Sequence, residues 1–191
     1  MQISGAAEPT AVVAAVTEKL LTASGAHDIE WYNLSFAHSG WPTPSTQGIV
    51  ERYGGTLFKL GGAHGELMSS AAAVDIGSSH RIKFVGCRFE KLGAWGLRLR
   101  NGTQDAAVTR CNFTDLSGGG VCIGDWHDMQ SPPSKQMARV VVEDNTLVGL
   151  GVEFGGAPGI HSYCMRQSSI SHNRIQDVAY SGISYNWPSP Q

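Results

Sequence analysis

The sequence predicts an all-β chain: a single-stranded right-handed parallel β-helix (β-solenoid), with coils of about 24 residues and loop insertions. Three observations predict it. An eight-residue frame recurs along the chain, a second short apolar strand follows it at a steady offset, and the composition favours tight turns over helices. The frame is Ile82–Phe89, Ala106–Phe113, Val140–Leu147 and Ser168–Ile175, and Ile29–Phe36 fits it as well. Each copy ends in a large apolar residue, and another follows three positions later at Leu92, Leu116, Leu150 and Val178.

A glycine and a second strand then follow: Gly96–Leu99, Gly120–Ile123, Gly159–Ser162 and Gly182–Tyr185. From Phe89 to Phe113 is 24 residues, from Phe113 to Leu147 is 34, and from Leu147 to Ile175 is 28. A base coil with variable insertions accounts for these intervals. Alternate residues of a strand face the same side. Phe84, Val108, Val142 and Ile170 therefore form one internal column. Phe89, Phe113, Leu147 and Ile175 form a second, and Leu97, Val121, Ile160 and Ile183 a third. A β-sandwich also uses many short strands, but it does not place three apolar ladders at the same offsets in every unit.

Asn145 and Asn173 recur where Cys87 and Cys111 stand, at a corner where asparagine bonds neighbouring backbone and a buried cysteine fills the same space. Stacked coils can bring Cys87 and Cys111 within disulfide range, which the sequence leaves open. Near the start, Val12-Val13 and Leu20-Leu21 lie one coil-length before Ile29 and read as a further rung, although Thr10–Thr22 also has helical propensity.

Glycine, at 24 of 191 residues, supports the turns, and charged residues make up only 16% against a usual value of about 25%. The net charge of −2 comes with no basic stripe, so no nucleic-acid partner is expected. The apolar run Ala11–Val16 is short and interrupted by Thr17-Glu18-Lys19, so no membrane partner is expected either. No basic region precedes an apolar one at the start, so no signal peptide is read there. The four cysteines form no CxxC pair, which disfavours zinc, and no metal site is expected. Residues 1–191 read as one domain with an irregular stretch at 1–9. The end at Asn186–Gln191, just after a strand and without a polar cap, reads as a fragment of a longer parent.

Four strings carry a family resemblance: Phe36–Trp41, Gly118–Asp125, Gly151–Ile160 and His172–Ser184. They resemble the right-handed parallel β-helix repeat proteins of the pectin-lyase-like superfamily, over nearly the whole chain from about residue 10. The resemblance implies a glycan-active protein, as polysaccharide lyases and glycoside hydrolases share that scaffold, and a secreted parent. Relatives often continue the last motif with a Gly-Trp-Gly-like stretch, where this chain has Tyr185-Asn-Trp-Pro188. Fold alone does not license a reaction.

A site must therefore be built from outward-facing residues. Arg98, Cys122, His161 and Ser184 form one row across successive coils, with Arg100, Gly124, Tyr163 and Asn186 beside it. Such a row makes a shallow groove suited to an extended polysaccharide. Two insertions flank it, Asp125–Lys135 and Gly151–Pro158, and long loops are where function concentrates.

Glycoside hydrolysis uses two carboxyl groups, one protonating the leaving oxygen and one attacking or activating water. Asp125 and Glu153 are the expected pair, with His161 in acid–base work and Asp177 in reserve. Arg98, Arg100, Trp126, Tyr163, Tyr180 and Asn186 are the expected sugar-binding residues. No cofactor is expected for hydrolysis. A lyase would use Arg98 or Arg100 as base together with calcium, though no calcium-loop motif is visible.

Structural roles compete at each position. Asp115 and Asp177 recur at equivalent sites, as turn residues do, and His172 beside Asn173 has the same character. Trp126 and Trp187 can simply cover the surface. Three functions stay open: an enzyme cleaving glycosidic bonds, a non-catalytic glycan-binding or surface scaffold, and an inactive fragment.

Overall fold

The computed structural model describes residues 12–52, 57–61, 64–100 and 102–186. The irregular stretch expected at 1–9 and the end from Trp187 onward lie outside the described residues. The first repeat is β1 (Leu21–Ser24), β2 (His27–Tyr32) and β3 (Ser35–Ser39). An excursion follows, with a one-turn helix α1 (Thr43–Gln47) and strands β4 (Ile49–Arg52), β5 (Leu57–Leu60) and β6 (Leu67–Ser69). The second repeat is β7 (Ala72–Gly77), β8 (His80–Val85) and β9 (Arg88–Leu92). The third is β10 (Trp95–Arg100), β11 (Gln104–Thr109) and β12 (Asn112–Leu116). The fourth starts with β13 (Val121–Ile123), passes through two 3₁₀ turns (Trp126–Gln130 and Pro133–Lys135), and resumes with β14 (Ala138–Glu143) and β15 (Thr146–Leu150). Then come β16 (Ile160–Tyr163), β17 (Ser169–Ser171), β18 (Arg174–Val178) and β19 (Ile183–Asn186).

The first strand of each repeat joins sheet A, in the order β1-β7-β10-β13-β16-β19. The second joins sheet B (β17-β14-β11-β8-β2) and the third sheet C (β18-β15-β12-β9-β3). All pairings within these three sheets are parallel, whereas β4, β5 and β6 pair antiparallel as sheet D. The architecture is therefore all-β, as expected, but the single-stranded solenoid is corrected. Three parallel sheets of six, five and five strands, plus a small antiparallel sheet, replace it. The physical reason is that each repeat holds three strand segments divided by sharp corners. In addition, the excursion after Ser39 is long enough to satisfy its own backbone in a meander.

Register puts equivalent residues in columns. Phe36, Phe89, Phe113, Leu147 and Ile175 are successive partners across sheet C. The Phe89 and Phe113 rings stack with centroids 4.5 Å apart, close to the spacing of neighbouring strands. Trp31, Phe84, Val108, Val142 and Ile170 pair across sheet B. Leu21, Val74, Leu97, Val121, Ile160 and Ile183 pair across sheet A. These three columns face one shared core except at the last rung of sheet A, where Ile183 is 48% exposed, and each buried large side chain stabilises the fold by about 1.5–3 kcal/mol. Leu20 packs against that core while Val12 and Val13 are exposed and outside any strand, so only the second half of the expected first rung forms.

The corners repeat as strictly as the columns. The fourth residue of each sheet C strand is left-handed: His38, Lys91, Asp115, Gly149 and Asp177 have φ between 50° and 67°. Asp115 and Asp177 thus share one bend position. Between sheets B and C lies the Asn/Cys slot. Asn145 Nδ2 donates to the Val108 carbonyl (2.9 Å), and Asn173 Nδ2 to that of Val142 (2.9 Å). The Cys111 thiol donates to Phe84 O (3.5 Å) and Cys87 to Trp31 O (3.3 Å), the register-equivalent carbonyls one and two repeats back. Asn145 Oδ1 also accepts the Cys111 N–H (2.8 Å). All four cysteines are free thiols, and burial pushes Cys111 up to about 12.

Two substitutions test these assignments by urea denaturation. Phe113→Ala should cost about 3–5 kcal/mol, because both ring neighbours lose contact; a loss near 1 kcal/mol would mean that the column is loose. Asn145→Ala should cost about 2–3 kcal/mol by stranding a buried carbonyl and a buried N–H. Asn145→Cys, which keeps a donor toward Val108 O, should cost less than Asn145→Ala.

Candidate functional site

Alternation in sheet A sends Thr22, Asp75, Arg98, Cys122, His161 and Ser184 outward in one in-register row. The row from Arg98 to Ser184 is the one expected from the sequence. Asp75 is the addition. Its strand was missed because Ala73 stands where later repeats have glycine, although Val74-Asp75-Ile76 shows the same in-out-in pattern as Leu97-Arg98-Leu99.

The row is covered unevenly. On the β13–β16 side the outer face is a second small core of Trp95, Cys122, Tyr163, Ala72 and Ala157, with Trp126 packed against it. His161 is 0% exposed there, its ring against Tyr163 (4.3 Å) and Trp95 (6.4 Å). Among the described residues neither ring nitrogen has a hydrogen-bond partner. Burial, and then the Arg98 charge, lower its pKa to about 4, so the imidazole is neutral at physiological pH. Gly119 makes this packing possible, because a Cβ there would overlap the Trp95 ring.

On the β7–β10 side the row opens into a cavity of about 320 Å³. Asp75, Arg98, Arg100, Asp125, Ser70 and Trp41 are among the residues lining it. Asp75, 4% exposed, accepts from Arg100 Nε (2.7 Å) and Lys19 Nζ (3.0 Å). Burial raises its pKa, but these two cations outweigh burial and hold it below the ordinary carboxylate value. Arg98, 6% exposed, donates from Nη2 to Ser70 Oγ (3.2 Å), while its Nε has no hydrogen-bond partner among the described residues.

Asp125 stands at the N-cap of the first 3₁₀ turn. Its Oδ1 accepts the His127 N–H (3.2 Å) and faces the His127 ring at Nδ1 (3.0 Å), and its Oδ2 accepts from Ser69 Oγ (3.2 Å). Asp128 closes the turn from the other end, accepting the Asp125 N–H at 2.9 Å. This reciprocal capping satisfies amides that the short turn leaves free.

The other sequence candidates are dispersed. Glu153 is exposed and lines a different cleft of about 390 Å³ beside sheet C, with Lys91, Asp115 and Ser117. Asp125 and Glu153 therefore line separate cavities. Asp177 is exposed at its left-handed bend in β18 and lines neither cavity. Tyr163 is buried, and Trp126 is half-buried against the same cluster. Asn186 pairs with Tyr163 in sheet A, and Tyr180 is 64% exposed away from both cavities. Among the described residues no group of three or more His, Cys, Asp or Glu side chains is placed to hold a metal ion.

Three segments shape this surface: the excursion carrying sheet D, the 125–136 turn and the 151–159 loop. Trp41 and Phe58 of the first meet Phe154 of the last edge-on, at centroid distances of 5.2–5.6 Å. Glu51 sits under Gly156 and accepts its N–H, and burial raises its pKa. Sequence spacing announces that these segments are insertions, but not where they fold.

The capping carboxylate yields a pH prediction. Burial lifts Asp128 from 3.8 to about 6. The native state therefore holds this proton more tightly than the unfolded chain does. The associated stability is complete below about 4 and is lost as pH rises through about 6. Asp128→Asn, which keeps an acceptor for the Asp125 N–H, should remove this loss in melts between pH 4 and 7. An unchanged pH profile would place the titration elsewhere.

No family model matches the chain. A solved structure described as a glycoside hydrolase is similar to it, with a TM-score of 0.73 at 24% sequence identity. The match covers 91% of this chain and 34% of that one, so the chain spans about a third of that protein's length. At this identity the likeness is one of fold.

Proposed function

We propose that this chain is a carbohydrate-active module that binds a polysaccharide over the outer face of sheet A and cleaves a glycosidic bond there. The observation that carries the reading is the sheet A cavity, where three carboxylates (Glu18, Asp75 and Asp125), two arginines, a lysine and a tryptophan converge on one concave surface. Sites for small polyols combine an apolar wall with a few directed polar groups, and Trp41, Arg98 and the serines supply both. The fold likeness to a protein described as a glycoside hydrolase points the same way. In this reading Asp125 moves the proton at the glycosidic oxygen and Asp75, kept ionised by Lys19 and Arg100, is the negative partner. Arg98 holds the sugar. His161, neutral and covered, supports Tyr163 and Trp95 from beneath.

One observation favours glycan binding without cleavage. Both oxygens of Asp75 and both of Asp125 already accept from protein donors, which leaves each carboxylate fewer free lone pairs for substrate.

A polysaccharide panel separates the two readings when both binding and new reducing ends are measured. Asp125→Asn preserves the N-cap and should lower turnover at least a hundredfold, the ordinary weight of a general acid, with binding nearly unchanged. Arg98→Ala should weaken binding about tenfold. A wild-type protein that binds and never cleaves would establish the scaffold reading. One that binds no glycan would end both.

A further inference from the structure

We propose that the glycan site continues past the sheet A cavity, over Trp41, into the cleft beside sheet C. There Lys91, Asp115 and Glu153 hold an additional neutral sugar unit. This inference rests on the glycan-binding reading of the sheet A cavity.

Four observations carry it. First, the two concave surfaces, about 320 and 390 Å³, share Trp41 as a common wall. A ligand leaving one across that ring enters the other. Second, the wall is held in place. Phe58 and Phe154 pack edge-on against the Trp41 ring, and its backbone crosses Gly93 so closely that a Cβ there would lie 2.6 Å from the Trp41 nitrogen.

Third, the polar groups of the cleft stand on fixed backbone. Lys91 and Asp115 occupy the same left-handed position in adjacent strands β9 and β12, so their side chains leave the sheet side by side. The loop bearing Glu153 is pinned to the end of β12. The Val152 N–H donates to Leu116 O (3.1 Å), and those of Glu153 and Phe154 to Ser117 O (3.2 and 2.9 Å). A site built on rigid elements loses little entropy when it binds.

Fourth, these charges do not neutralise one another. Among the described residues, none of Lys91, Asp115 and Glu153 forms an ion pair within 4 Å, although all three line one cleft. The cleft thus offers an ammonium donor and two carboxylate acceptors. Sugar hydroxyls both donate and accept, so they match that set. With two carboxylates against one ammonium the cleft is net negative, which disfavours a uronate here and favours a neutral sugar.

The test is calorimetric titration with xylan, mannan, β-glucan and homogalacturonan oligosaccharides, from disaccharide to hexasaccharide. The wild-type protein should bind the longer members of a recognised neutral series about tenfold more tightly than the shorter ones. The double variant Lys91→Ala/Glu153→Ala should lose that gain and bind the short members as the wild type does. Matching thermal melts would show that it folds. If the double variant keeps the length dependence, the added site is overturned and the sheet A reading stands. If no oligosaccharide binds the wild type, or if Arg98→Ala leaves all binding intact, the sheet A reading fails and this inference falls with it.

Discussion

Parallel pairing between equivalent strands of successive repeats is the constraint from which the other features follow. A strand in sheet B or C exchanges backbone hydrogen bonds with the strand one repeat before and one repeat after. Each position is therefore repeated about one strand spacing away. Phenylalanine stacks on phenylalanine in sheet C because the ladder leaves no other placement. The same constraint explains the corner between sheets B and C. A carbonyl recurs there in every repeat, at Trp31, Phe84, Val108 and Val142, and each needs a donor from the next repeat. Asparagine meets that need strongly and cysteine weakly, and both fit because the slot is small and dry.

What the repeats build inside, the insertions complete outside. The outward row of sheet A is as regular as the inward columns, yet its members have different fates. Asp75 and Arg98 border a cavity, whereas Cys122 and His161 lie in a covered cluster with Trp95 and Tyr163. The difference comes from the three excursions: Trp41 and Phe58 tie the first to Phe154 of the last, and Ser69 ties it to Asp125 of the 125–136 turn. Chemistry on this face is thus distributed by loops on a scaffold that treats all rungs alike.

Electrostatics divides the face in the same way. Lys19 and Arg100 hold Asp75 ionised despite its burial, while Arg98 has the Ser70 hydroxyl and the Cys122 thiol as side-chain partners and no carboxylate paired to it among the described residues. A buried guanidinium without a carboxylate is costly, and its field reaches both Cys122 and His161. Burial moves Asp128 and His161 in opposite senses, the carboxyl up and the imidazole down, because each loses the charged form.

The sequence by itself determined the columns, the outward row and the Asn/Cys slot. Each depends on periodicity, and a period of two within strands is readable from residue types alone. It also marked Asp115 and Asp177 as equivalent, and both prove to be left-handed bend residues. The number of sheets was less legible, since three strand segments per repeat look like one interrupted strand until the corners are placed. Asp75 escaped because its repeat lacks the glycine that flags the others. Only the tertiary structure decided that Asp125 and Glu153 face different cavities, that His161 is covered, and that Trp41 stands between two clefts. Those outcomes depend on where long insertions come to rest. Such segments carry no period, and their positions are set by contacts such as Trp41 with Phe154, more than a hundred residues apart in the chain.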